Sequence, residues 1–227
     1  MNGLELKRGR LAAKLTQVEA SERLELSQPY LSQLERGRRA VTPRLARAAT
    51  NLYQLSPTSL TPPSELPESK EVSRRLPNLL SALGYPGFSH LRKGPLVNPA
   101  VAVLEALSEQ SLDGRVAEAM PWVLEQFPSL DWDWLVDQAR RRNVQNRLGF
   151  LVTVARMLAE RRNNKVAVER LRRVEEELEQ SRLVAETTLG REGMPAAERK
   201  WLREHRSPEA RHWKVLAGLK LQDLSYA

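Results

Sequence analysis

Gln28, Ser32 and Gln33 are the residues with most to offer chemically, in the stretch LTQVEASERLELSQPYLSQLERGRR at 15–39. On a helix they leave two carboxamides and a hydroxyl outward, and Arg36, Arg38 and Arg39 follow at once. A Gln amide donates and accepts together, which suits the N6 and N7 edge of adenine in a major groove. Guanidinium groups suit phosphates. The chemistry implied is hydrogen-bonded reading of DNA.

Two short helices joined by a tight turn must position these groups. Thr16 suits the cap of the first, with Glu19 three residues on completing a capping box. Ser27 suits the cap of the second, and Pro29 sits in its first turn, where a missing N–H costs little. Val18, Ala20, Leu24, Leu26, Leu31 and Leu34 supply small or apolar inward positions. Thr42-Pro43 opens a further helix with Leu45, Ala48 and Leu52 inward.

Residues 4–55 resemble the Cro/lambda-repressor-like helix-turn-helix domain of the XRE class. The residues carrying the resemblance are Leu15-Thr16-Gln17, Ala20, Leu24, Ser27-Gln28, Leu31-Ser32-Gln33-Leu34-Glu35 and Gly37. It implies a five-helix DNA-binding domain in which Gln17 contacts a phosphate, and Gln28 and Gln33 read bases from helix 28–36. Ser27, Ser32, Arg36, Arg38 and Arg39 complete the expected DNA-binding set. Arg10 and Glu35 match positions that pair across the domain, so a structural ion pair is expected. Two places where the family often has Gly hold Lys14 and Glu25 instead. The turn residue of the motif frequently needs positive φ, so Glu25 implies strain or a different turn.

At 227 residues the chain fits one large or two modest domains. Sparse aromatics, abundant Leu and Ala and short β-branched runs favour an all-α protein. Fourteen prolines are present, and four of them fall with four serines in SPTSLTPPSELPES at 56–69, which reads as a linker. The expected organisation is a helix-turn-helix domain at 1–55, this linker, and a larger helical domain at 70–227 serving an effector, dimerisation or partner-binding role.

The net charge of +8 points to an acidic partner such as nucleic acid. It is unevenly placed. Residues 95–137 hold one basic and eight acidic residues, whereas 138–173 hold eleven basic and two acidic. Such neighbouring blocks either bind a partner or neutralise each other within the fold. Cysteine is absent, which excludes disulfides and thiolate metal sites. No signal-peptide pattern occurs at MNGLELKRGR, and the most apolar segment, 148–159, is too short to span a bilayer. A cytoplasmic protein is expected.

Beyond the linker, helices are expected at 72–83 (starting near Leu76 because of Pro77), after Asn98-Pro99, from Asp113 to Phe127, 132–142, 143–162, 196–205 and 208–221. The stretch 165–184 reads either as a coiled-coil dimerisation helix or as a helix packed on its own domain. Around PWVLEQFPSLDWDWL, Trp122, Trp132 and Trp134 either line a partner or ligand pocket or form core. Arg140, Arg141, Arg142 and Arg147 read either as a second nucleic-acid patch or as a solvated helix face. The Arg-Leu-Gly-Phe-Leu run at 147–151 gives this segment a weak similarity to AbiEi-like antitoxins.

His90, His205 and His212 are scattered, and no phosphate-cradling glycine loop or metal-spaced cluster occurs. No catalytic residue, metal or cofactor is therefore expected. The reading is a DNA-binding transcriptional regulator, a dimeric repressor on a double-stranded operator. The alternative is an antitoxin that neutralises a cognate toxin and represses its own operon. A small-molecule effector is a further possible partner.

Overall fold

The computed structural model describes residues 1–64, 66, 72–224 and 226. They are overwhelmingly helical and separate into two compact units, Met1–Pro63 with Leu96–Asn98, and Ser64–Pro95 with Pro99–Ala227.

The first unit holds α1 (Gly3–Ala12), α2 (Gln17–Arg23), α3 (Gln28–Glu35) and α4 (Pro43–Leu52), with a single 3₁₀ turn, Pro57–Ser59, in fifth place. Each α-helix starts on a side-chain cap. Asn2 with Glu5 and Thr16 with Glu19 form capping boxes, while Ser27 accepts from Tyr30 N and Thr42 from Leu45 N. Leu6, Ala20, Leu31, Leu34 and Ala49 are fully buried in one core. Val18 and Ala48 face solvent instead of the interior; Ala46 and Ala49 fill the place expected of Ala48.

The stretch read as linker divides. Its first residues fold back: Leu60 is buried in the first core, and its carbonyl accepts from Asn98 Nδ2 at 2.5 Å. Residues 65 and 67–69 lie outside the described residues.

The second unit contains α5 (Val72–Ala82), α6 (Pro99–Ser108), α7 (Gly114–Gln126), α8 (Trp132–Arg141), α9 (Gln145–Arg161), α10 (Lys165–Glu179), α11 (Ala196–His205) and α12 (Pro208–His212). Pro77 and Pro121 lie inside α5 and α7 without ending them. Tertiary packing outweighs one lost backbone bond here, because Leu76, Leu79, Met120 and Leu124 are all buried. Helix α9 is buried along most of its length and packs against α7, α8 and α10. The apolar side of α10 (Ala167, Leu171, Val174, Leu178) is already spent on this packing, so the intramolecular reading of 165–184 holds for that face.

The expected helix 208–221 is corrected. It stops at His212; Lys214 adopts φ +56°, and Val215–Leu216 (β2) pairs in parallel with Thr187–Thr188 (β1). The cause is Trp213, which is fully buried and donates its Nε1 to Thr153 Oγ1 at 2.8 Å. Its ring lies so close to Gly149 that a Cβ there would overlap it. Val215 and Leu216 are then pulled inward rather than left on a helix surface. Asn143, expected to open α9, instead ends the turn after α8 with φ +56°, which Asn tolerates.

Candidate nucleic-acid interface

The turn between α2 and α3 keeps the left-handed conformation despite lacking glycine. Glu25 has φ +57°, as does Lys14 in the preceding turn. A non-glycine residue there costs roughly 1–2 kcal/mol, offset locally by Leu26 N donating to Ser21 O at 2.8 Å. The motif geometry is therefore retained at some cost in strain. At the far end of α3, Gly37 takes φ +71° and closes the helix while Arg38 N bonds Gln33 O.

A chain of side-chain bonds runs from the interior to the outer face of α3. Arg10 Nε and Nη2 donate to Glu35 Oε1 and Oε2 at 2.6 and 3.0 Å, and Arg10 Nη1 donates to Leu15 O at 2.8 Å. Both charged side chains are almost completely buried. Gln17 Nε2 donates to Glu35 Oε2 at 2.9 Å, and Gln28 Nε2 donates to Gln17 Oε1 at 2.7 Å. An ionised carboxylate only accepts, so Gln17 must turn its amide nitrogen to Glu35 and its oxygen to Gln28. Gln28 is thereby left with one N–H and its carbonyl oxygen uncommitted. These are the two atoms a bidentate contact to adenine uses.

The electrostatics hold this chain in one state. Burial pushes the Glu35 carboxyl up, but the bonds from Arg10 and Gln17 and the Arg10 charge outweigh burial and hold it below the usual range. The bond to Glu35 in turn holds the Arg10 guanidinium above its ordinary value.

Around Gln28, Gln33 is exposed and Ser32 half-buried, while the Ser27 hydroxyl is committed to its cap. Arg36, Arg38 and Arg39 are exposed, and among the described residues none is paired with an acid. Two features escape the polar pattern in the sequence. Tyr30 presents a 37 % exposed ring from the first turn of α3, and Arg44 and Arg47 stand exposed on α4. A basic residue three positions from another on a Pro-started helix is the signal for the latter pair.

The second candidate set is not brought together. Trp122 is buried and packs edge-on against Tyr85 and Phe127, with centroids 5.4 and 6.1 Å apart. Trp122 therefore belongs to the core rather than to a surface. Trp132 and Trp134 are half-buried. Arg140 donates to Ser181 Oγ and pairs with Glu177, whereas Arg141 is exposed and pairs with Asp137 on its own helix. Arg147 is buried: it donates to Leu107 O at 2.7 Å and to Thr187 Oγ1 at 3.1 Å. It is an interior arginine. Part of the basic block is neutralised within the fold, as where Arg162 meets Glu125 at 2.6 Å.

Among the described residues no group of acidic and histidine side chains is arranged to hold a metal, and no helix is long and apolar enough to cross a membrane. Residues 3–61 match the family of helix-turn-helix domains. No curated protein and no solved structure matches the chain. The chain carries a helix-turn-helix domain at its N-terminal end, and helix-turn-helix domains bind DNA.

Proposed function

We propose that the protein is a sequence-specific transcriptional regulator, a repressor that reads the major groove with helix 28–36 and binds its operator as a dimer. The observation that carries this reading is the bond from Gln28 to Gln17, backed by Glu35 and Arg10. It presents Gln28 in a single amide orientation, so little ordering remains to be done when a base edge arrives. Gln33 adds a second carboxamide on the same helix, Gln17 keeps one amide N–H for a phosphate, and Arg36, Arg38 and Arg39 supply further phosphate contacts.

One recognition helix contacts too few base pairs for useful selectivity. A dimer on two half-sites about one helical turn apart supplies the rest. Regulation follows from occupancy: a tightly held operator excludes other proteins from the same groove. Titration against the DNA upstream of its own gene and a scrambled control, at two salt concentrations, tests the reading. Tight binding to the upstream DNA alone, with a steep salt slope, is the expected result. Equal binding to both sequences would remove it.

A further inference from the structure

We propose that the second unit binds a small oxyanion, a carboxylate- or phosphate-bearing molecule, in the polar cavity at the start of α9. The cavity measures about 430 Å³ and is bounded by Ser108, Gln110, Arg142, Asn143, Arg147 and Glu192. Its walls are built firmly. Glu192 N donates to Gln110 O at 3.1 Å, Leu112 N donates to Gly190 O at 2.7 Å, and Arg147 ties both segments to α9 through Leu107 O and Thr187 Oγ1.

Positive charge here is under-compensated. Arg147 is 6 % exposed, and among the described residues its one acidic partner is Glu192, at 3.4 Å from Nη2. Charge-assisted bonds ordinarily close to about 2.7–2.9 Å. Glu192 is also half-exposed, so water weakens its hold further. Burial pushes the Arg147 guanidinium below its ordinary value, and Glu192 offsets this only in part.

Arg142 has no acidic partner among the described residues, and its Nε is shut off from solvent without an acceptor. The 17-residue helix α9 begins at the same cavity. Val144 offers no side-chain cap, and the N–H groups of Asn146 and Arg147 have no acceptor among the described residues. Arg142, Asn143, Arg147, Ser108 and Gln110 thus give one space a basic and polar lining. A singly or doubly charged oxyanion supplies the counter-charge that Arg142 lacks and that Glu192 gives Arg147 only in part. The volume of the cavity suits a small molecule.

The test is an NMR titration of the full-length protein with inorganic phosphate, and in parallel with acetate, against chloride at matched ionic strength. Saturable shifts of the Asn146 and Arg147 amides are expected with at least one of the two. Arg142→Gln should weaken this binding about ten-fold, the worth of one charge-assisted bond. Gln110→Ala is the second variant should Arg142→Gln not fold, with a smaller loss expected. Unsaturable shifts equal to those in chloride, or undiminished binding in the variants, would overturn the site. So would confinement of the shifts to residues 17–39, or loss of bound phosphate from Asn146 and Arg147 when a short duplex is added. The first would mean that phosphate occupies only the DNA-facing surface, and the second that the cavity is a contact for nucleic acid.

Discussion

Gln28 donates its side-chain amide to Gln17 Oε1 at 2.7 Å, and this bond determines which atoms of Gln28 stay available. Because Gln17 is itself anchored on Glu35, the amide at the start of α3 is oriented from the interior of the domain. The polar groups proposed to meet DNA and the ion pair that supports the fold are one connected system.

The proposed base reading by α3 has a direct consequence. Gln28→Ala and Gln33→Ala should each weaken operator binding by about 1–3 kcal/mol while sparing binding to scrambled DNA. Gln17→Ala and Gln28→Ala combined should be non-additive, with a coupling of about 0.5–3 kcal/mol. Equal losses on both DNAs in a gel-shift or anisotropy titration would remove the base-reading assignment.

Glu35→Ala should destabilise the first unit by about 3–5 kcal/mol, because it strands the Arg10 charge inside. The same pair gives a pH dependence. Its carboxyl titrates lower in the folded than in the unfolded chain, so its stabilising contribution is complete above the ordinary carboxylate range. That contribution is lost as pH falls through the folded value. Chemical denaturation at neutral and acidic pH should show stability declining on acidification, and less so in Glu35→Ala.

Glu25→Gly should stabilise the first unit by about 0.5–1 kcal/mol, since relief of the left-handed strain exceeds the entropy cost of glycine. Operator affinity should not change, because the turn keeps its shape. A fall in the denaturation midpoint would show that the strain is relieved in some other way.

Gly149→Ala should cost about 1–3 kcal/mol by forcing Trp213 away from α9. Trp213→Ala should cost about 3–5 kcal/mol and release Thr153 Oγ1 from its bond. Tryptophan fluorescence during unfolding reads both.

A chain lacking residues 70–227 should remain folded, as shown by circular dichroism, and bind the operator more weakly than the full protein. Part of that loss is local, because Leu96 and Asn98 pack on the first unit. Full affinity in the shortened chain would place dimerisation in the first unit.

The helix-turn-helix was legible because its signals are local. Thr16 with Glu19, Ser27 before Pro29, and Thr42 before Pro43 act over three or four residues, so spacing alone locates three helix starts. Outward polar positions such as Gln28 and Gln33 follow from the same period. The turn at Glu25 could not be read in the same way. A propensity disfavours its conformation, but the packing of Leu24 and Leu26 against the first core enforces it.

By itself, then, the sequence determined an all-α chain with a DNA-binding motif at its start, through caps and helical periodicity that act between near neighbours. Tertiary structure alone decided the rest. It joined Arg10, Gln17, Gln28 and Glu35 into one chain of bonds, and it drew Trp122 and Arg147 into the interior. It also ended the helix at His212 to seat Trp213 against Gly149, and opened the start of α9 to a polar cavity. These are contacts between residues far apart in sequence, and burial and hydrogen-bond satisfaction across elements select them, whatever the local pattern prefers.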